Sequence, residues 1–162
     1  FVRWPRQIAA GQNIHTPVAH IDVMPTLLAA AGQPLPQDRV IDGENLMPLI
    51  TEGGREQSGW SRQTLYWSAG HNRVVRHGDW KLQVAARPEK QWLFNLAEDP
   101  SEEVNLVTAH PEKVSELMAL LDAHVAESRA PLYAPEIEGA VAVDKDLTKP
   151  FMPGDEWVSV PN

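Results

Sequence analysis

Residues 73–85, RVVRHGDWKLQVA, predict the β-hairpin from which the rest of the fold can be built outward. Two short runs rich in β-branched and aromatic residues flank the pair Gly78-Asp79. A two-residue pair of this kind between strand-forming runs favours a tight hairpin turn. The stretch therefore predicts two antiparallel strands, at 73–77 and 80–85.

A further strand is predicted on each side of this hairpin. The aromatic run 64–68, TLYWS, is typical of a strand, and so is 91–96, QWLFNL. Residues 110–128 then carry apolar side chains at three- and four-residue spacing, which indicates an amphipathic helix. Because such a helix needs a cover for its apolar side, we expect an α+β fold. Its small antiparallel sheet of about four strands is covered by one helix.

The first fifty residues predict other elements. Residues 1–4 have the composition of a short strand that Pro5 ends, since proline cannot donate to a strand ladder. The run 22–32, DVMPTLLAAAG, predicts a helix capped by the Asp22 carboxylate. Asn45 is predicted to cap a further helical turn. These elements are interpreted as a strand-helix remnant of a larger sheet.

Three segments are predicted along the 162 residues. Residues 1–55 form the remnant, 56–130 form the sheet-and-helix subdomain, and 131–162, rich in proline, form an extended tail. The stretch 51–63, TEGGREQSGWSRQ, is expected to be an exposed loop because of its Gly, Ser and Arg content.

Charge is unevenly distributed along the chain. Residues 1–88 carry nine Lys/Arg and seven Asp/Glu, and residues 89–162 carry five and fifteen, which gives the net charge of −8. The acidic second half argues against nucleic-acid binding, and no apolar run approaches the roughly 18 residues of a membrane span. One basic cluster has two interpretations, alternating exposed hairpin positions or a rim that attracts an anion. It consists of His71, Arg73, Arg76, His77 and Lys81.

His71, Asn72 and Arg73 are the candidate binding residues. They fall in the predicted connection between two strands, and loops on a rigid sheet are where binding residues accumulate. The alternative interpretation is an exposed polar turn.

His15, His20 and Asp22 form the one cluster that invites a metal site. Their spacing is poor, since a helix presents paired ligands at i and i+4, and capping already accounts for Asp22. The sequence has no cysteine, which excludes a disulfide, a thiolate metal site and a cysteine nucleophile within these residues. No metal ligand and no complete catalytic constellation is predicted.

Five phrases, in order, resemble the C-terminal part of a sulfatase of the arylsulfatase branch, in the alkaline-phosphatase-like superfamily. FVRWPRQIAAG is similar to VRWPG-x-I-x-x-G, and HIDVMPTLLAAAG to H-x-D-x-x-P-T-L-L-x-x-A-G. IDGENLMPLI is similar to I-D-G-x-S-L-x-P-L-L, and VVRHGDWKL to A-V-R-x-G-x-W-K-L. WLFNLAEDPSEEVNL is similar to L-Y-D-L-x-x-D-P-x-E-x-x-N-L. The resemblance extends to about residue 126, and the tail has no counterpart.

The resemblance implies that the chain is the C-terminal fragment of a longer α/β protein that hydrolyses a sulfate ester. Residues 1–55 are then a remnant of its large catalytic α/β domain. In such enzymes the nucleophile is a formylglycine made from the Cys or Ser of C/S-x-P-x-R, and a divalent cation, usually Ca²⁺, polarises the sulfate. Those groups precede the VRWPG phrase, and the near-match at 159–162, SVPN, lacks the Arg. No catalytic or metal residue is therefore assigned here, and the segment alone is expected to be inactive.

The resemblance also implies the partners of the longer protein. Its substrate is expected to be a sulfated small molecule or a sulfated carbohydrate, with His71, Asn72 and Arg73 near the rim of the sulfate pocket. Self-association through apolar surface of residues 1–50 is a further expectation. Two alternatives stay open: a phosphonate or phosphate-ester hydrolase of the same superfamily, and a free-standing interaction module.

Overall fold

The computed structural model describes residues 1–54, 58–69, 72–86 and 89–130, together with two backbone strands in 138–142 and 157–161. The chain forms two compact units, Phe1–Arg62 and Gln63–Asn162. None of the helices in the described ranges has the length and apolar character needed to cross a lipid bilayer.

The first unit contains short helical elements joined by turns. They are a 3₁₀ turn at His20–Asp22, helix α1 at Val23–Ala30 and helix α2 at Met47–Thr51. Asn45, predicted to cap this turn, lies one residue before the N-cap residue Leu46, and its Oδ1 accepts the Met47 N–H at 2.9 Å.

The strand predicted at residues 1–4 is absent, and that prediction was wrong. Trp4 instead begins a turn in which its carbonyl accepts the N–H groups of Gln7 and Ile8, at 2.9 and 2.8 Å. A strand exists only where a second strand satisfies its N–H and C=O groups. Within the described ranges, no segment pairs with these residues.

The second unit is built on a four-stranded antiparallel meander, which confirms the predicted α+β fold. The strands are β1 at Thr64–Ala69, β2 at Asn72–His77, β3 at Trp80–Ala86 and β4 at Glu89–Asn95, in that spatial order. The β2–β3 hairpin closes with His77 opposite Trp80. Its turn residue Gly78 has φ +59°, a left-handed conformation that favours glycine.

Helix α3, at Pro111–Glu127, covers one face of this sheet. Leu117 and Leu121 of the helix are buried against apolar side chains from β2, β3 and β4. The strand members of this core are Val75, Leu82, Val84 and Leu93. Burying a side chain of this size stabilises a fold by roughly 1.5–3 kcal/mol, so this layer is the main stabilising core of the described chain.

The opposite face of the sheet also contains buried side chains. Ala85, Trp92 and Phe94 form a second apolar cluster there. Asn72 and Gln83, which alternate with the core positions, are buried on this face as well. For convenience this surface is called the open face, meaning the side of the sheet that α3 does not cover.

Two segments of the predicted tail form regular structure. Strand β5 at Glu138–Ala142 pairs antiparallel with strand β6 at Trp157–Pro161. This pairing was not predicted from the sequence.

Candidate functional site

Asp22 is the most completely engaged side chain of the first unit. It is fully buried, and its Oδ1 accepts the Glu44 N–H at 2.9 Å and Arg62 Nη1 at 2.6 Å. Its Oδ2 accepts the Ala19 N–H at 2.7 Å and a second guanidinium N–H, from Nη2 of Arg62. The pair is thus a bidentate buried ion pair with two additional backbone donors.

The predicted capping role of Asp22 was therefore wrong. Asp22 occupies the N-cap position of α1, but its backbone is already helical, with φ −76° and ψ −14°, and its side chain caps no α1 amide. A capping side chain needs an extended backbone at that position. The preceding 3₁₀ turn removes this geometry and directs the carboxylate back toward the Ala19 N–H.

Arg62 is held by several groups besides Asp22. Its side chain is 10% exposed, and its guanidinium lies 5.3 Å from the centroid of the Trp60 ring. The Glu44 carboxylate approaches its Nε at 3.8 Å. Arg62 belongs to the segment 51–63, which was predicted to be an exposed loop.

Burial alone would raise the pKa of Asp22, because a charged carboxylate is costly away from water. The hydrogen bonds from Arg62 and from the Ala19 and Glu44 backbone outweigh burial and hold the pKa below its ordinary value. The Asp22 hydrogen bond raises the pKa of Arg62. Both groups therefore stay charged at neutral pH.

This arrangement does not fit the metal ion that the family resemblance implies. Both Asp22 oxygens already accept hydrogen bonds from Arg62 and the backbone. Across the described ranges, no three His, Cys, Asp or Glu side chains lie close enough together to hold a metal ion. With no cysteine in the sequence, the described residues also offer no thiol from which a formylglycine could form.

Polar and glycine residues connect the second family phrase to the third, and the fourth to the fifth. Asp22 of the second phrase accepts the Glu44 N–H of the third. At Gly43, an added Cβ would lie 2.0 Å from the Ile21 carbonyl oxygen, so only glycine permits this approach. Lys81 of the fourth phrase binds both Glu102 oxygens of the fifth, at 2.6 and 2.7 Å. Residues of these family phrases therefore make contacts that hold the structure together.

Asn72 and Arg73 do not converge in the structure. His71 lies outside the described residues. Asn72 and Arg73 begin β2 rather than lying in the loop, and their side chains point to opposite faces because strand residues alternate. Arg73 lies on the α3 side, with Nη1 3.4 Å from Asp122 Oδ1.

Asn72 is the unusual member of this group. It is 4% exposed on the open face, and neither its side-chain nitrogen nor its oxygen has a hydrogen-bond partner. An unpaired buried amide costs roughly 1–3 kcal/mol, so such a group calls for an explanation.

The basic cluster of the hairpin also divides between the two faces. His77 lies on the α3 side, where its Nδ1 is 2.7 Å from the Thr64 hydroxyl. Arg76 and Lys81 are directly opposite each other across β2 and β3, on the open face. The cluster therefore contributes two cations to the open face instead of forming a continuous rim.

A cleft of about 280 Å³ opens beside these two cations on the open face. Arg76 donates from Nε to the Gly78 carbonyl at 3.0 Å, which fixes its guanidinium against the hairpin turn. Glu102, which binds Lys81, has φ +59°, an uncommon value for a residue other than glycine. The residues lining the cleft are Trp67, Val74, Arg76, Lys81, Leu96 and Glu102.

The histidines of α3 have structural contacts. His124 stacks on Tyr66 with ring centroids 4.0 Å apart, and His110 packs edge-on against Trp80 at 5.2 Å. Both rings therefore serve in packing against aromatic side chains of the sheet.

The four-stranded meander and helix α3 define a small α+β domain. The chain belongs to the family described as N-sulphoglucosamine sulphohydrolase, C-terminal, which matches residues 1–130.

Known sulfatases are similar to the chain in sequence. Human steryl-sulfatase is 30% identical over an alignment covering 93% of this chain and 30% of that protein. Arylsulfatase K of Xenopus laevis is 31% identical over 68% of this chain and 23% of that protein. The chain thus spans less than a third of the length of these relatives.

Solved structures share the fold. BT4656, in complex with its substrate D-glucosamine-2-N,6-O-disulfate, matches 76% of this chain and 27% of its own, with a TM-score of 0.65 and 26% identity. Ps i-CgsB matches 81% of this chain and 29% of its own, with a TM-score of 0.66. At 21% identity, the latter likeness concerns the fold alone.

Proposed function

We propose that this chain is the C-terminal supporting domain of a sulfuric ester hydrolase, and that the longer protein hydrolyses a sulfate ester. The observation that carries this proposal is the family match over residues 1–130, together with sulfatase relatives such as human steryl-sulfatase. The contacts between the family phrases support a structural role for the chain within that protein.

The chemical groups of the reaction are proposed to lie in the rest of the longer protein. Sulfatase chemistry uses a formylglycine nucleophile and a divalent cation, Ca²⁺, which stabilises charge on the sulfate oxygens when bound. The residues described here do not fit either group, so no step of the reaction is derived from them. The chain alone is accordingly proposed to have no turnover.

Asn72 is the side chain for which we propose contact with the sulfated substrate or with a neighbouring part of the longer protein. Its buried amide carries an unused donor and an unused acceptor, and an N–H donor suits a sulfate oxygen. His71 precedes it in the chain and stays a candidate for the same rim. Arg73 is a weaker candidate, since it faces α3 and Asp122.

The substrate is proposed to be a sulfated small molecule or carbohydrate. Two similar proteins support this class: steryl-sulfatase by its name, and BT4656 by its disulfated glucosamine substrate. The identity of the fragment with BT4656 is too low to choose one substrate within the class.

The proposal is tested by comparing the longer protein on matched aryl sulfate and aryl phosphate esters. Sulfate-ester hydrolysis in excess of phosphate-ester hydrolysis is expected. Preferential hydrolysis of a phosphate or phosphonate ester would support the alternative enzyme of the superfamily. Hydrolysis of neither ester would support an interaction module.

A further inference from the structure

We propose that the cleft on the open face binds a sulfated saccharide, with Trp67 against a sugar ring and Arg76 against a sulfate group. The choice of sulfate as the anion rests on the proposed function. The cleft itself is argued from its charge, its aromatic wall and its rigidity.

The charge of the cleft favours an anion. Arg76 and Lys81 lie directly opposite each other, and like charges in this position destabilise a sheet. Glu102 neutralises only Lys81, whose Nζ donates to both carboxylate oxygens. In the described part of the chain, Arg76 has no carboxylate partner, so the cleft keeps one net positive charge in a protein of net charge −8.

The guanidinium of Arg76 is positioned for a ligand. Its Nε is already bound to the Gly78 carbonyl, which leaves the terminal nitrogens as donors. Two parallel N–H donors match two oxygens of a sulfate, a geometry that a lysine cannot offer.

The aromatic wall favours a ring rather than a bare anion. Trp67 is 44% exposed although it lies on a sheet face with buried aromatic neighbours. With Val74 and Leu96 it forms an apolar surface beside the charged groups. The C–H face of a pyranose ring is apolar and its hydroxyls are polar, so a sugar matches a cleft with both kinds of wall.

The polar end of the cleft is held in place before any ligand binds. The left-handed backbone of Glu102 is a conformation that non-glycine residues keep only where surrounding contacts stabilise it, here the ion pair with Lys81. Groups ordered in advance lose less entropy on binding. The volume, about 280 Å³, lies at the lower end of the roughly 300–1,000 Å³ of small-molecule sites, which suits one sugar ring with its substituents.

The test is a titration of the 162-residue chain with D-glucosamine-2-N,6-O-disulfate, followed by the indole N–H resonance of Trp67 and by calorimetry. A Trp67→Phe variant assigns the resonance. We expect a saturable shift with the disulfated sugar. Glucosamine and inorganic sulfate, each lacking one of the two recognised features, should bind at least about tenfold more weakly.

Arg76→Gln should weaken binding by about tenfold or more, because it removes a charge-assisted hydrogen-bond pair. Arg129→Gln is the matched control, since it removes the same charge from an exposed position near the end of α3, and should leave binding unchanged. Should Arg76→Gln fail to fold by circular dichroism, Trp67→Ala decides, with a similar loss expected.

The proposal is overturned if the Trp67 resonance shows no saturable shift. It is also overturned if inorganic sulfate binds as tightly as the disulfated sugar, or if Arg129→Gln and Arg76→Gln weaken binding equally. Binding is measured without turnover, so failure of the longer protein to hydrolyse a sulfate ester would contradict the proposed function and leave this result intact.

Discussion

Asp22 and Arg62 place two formal charges in the interior of the first unit. Removing a carboxylate and a guanidinium from water is expensive, and only close, fully hydrogen-bonded pairing compensates for that cost. The bidentate contact and the two backbone donors supply that pairing. The pair joins a helix start to a segment 40 residues later in the chain, so it fixes the path of the first unit.

Asp22→Ala should destabilise the first unit by about 3–5 kcal/mol, because it removes the carboxylate that pairs bidentately with the buried Arg62 guanidinium. A lost helix cap would cost about 1 kcal/mol, so the magnitude separates the two roles. Urea unfolding monitored by Trp60 fluorescence measures it. Asp38→Ala, which breaks an exposed pair with Arg39, is the matched control and should have no measurable effect.

A double variant, Asp22→Leu with Arg62→Met, should recover most of the lost stability, since it removes both buried charges together. A double variant as unstable as Asp22→Ala would show that the pair is not the source of the loss.

The Asp22–Arg62 pair should also make the free energy of unfolding depend on pH. The folded pKa of Asp22 lies below its ordinary value of about 3.9, so the folded state binds fewer protons than the unfolded state near that pH. The stabilisation by the ionised Asp22 carboxylate is complete above its pKa in the unfolded state and is lost as pH falls through its pKa in the folded state. Thermal unfolding between pH 6 and 2 measures it. The slope below pH 4 should be shallower in Asp22→Asn than in the natural sequence, and identical slopes would contradict the assignment.

Arg62 could not be predicted from the sequence, because nothing local distinguishes it from other arginines of its polar segment. Its role depends on a carboxylate 40 residues earlier. Asp22 was recognised as structural, but for a local reason. A local sequence pattern favours the nearest partner for the Asp22 carboxylate, which is a backbone amide. The buried Arg62 guanidinium binds that carboxylate more strongly.

At the scale of elements, the sheet and its helix were predictable because their signals are local and periodic. The two-residue turn at Gly78 sets the register of β2 and β3, and the three- and four-residue spacing in 110–128 marks the buried side of α3. Residues 1–4 have strand composition as well, yet composition cannot supply a pairing partner. The β5–β6 pairing was missed because the sequence between its two segments is rich in proline, so no local pattern indicated that they pair.

Helix α3 should stabilise the second unit through its buried leucines. Leu121→Ala is expected to cost about 2–5 kcal/mol, from lost burial and a cavity against Val75 and Leu82. Val125→Ala, one turn later and partly exposed, is the control, with an expected loss well below 1 kcal/mol. Chemical denaturation of the second unit measures both, and equal losses would contradict the assigned helix face.

Helix α1 exposes apolar side chains that soluble surfaces usually cover. Leu27 is 63% exposed, and Val23 one turn earlier is also exposed. We expect the 162-residue chain to associate with itself at high concentration. Sedimentation velocity should show this association reduced in Leu27→Gln. A chain that stays monomeric, or a variant that associates equally, would contradict a role for this surface.

At the scale of the whole molecule, the chain contains two units, and residues of the family phrases make structural contacts within them. The contacts made by Asp22, Gly43 and Lys81 join phrases that are about twenty residues apart in sequence. The chain spans less than a third of steryl-sulfatase. These observations together support the structural role proposed above for the chain.

The most direct test of this account is aryl-sulfate hydrolysis by three proteins assayed side by side. They are the longer protein, the same protein without residues 1–162, and the 162-residue chain alone. The account predicts turnover by the intact protein, and none above background by the isolated chain or by the truncated protein. Turnover by the chain alone, or full turnover by the truncated protein, would contradict it.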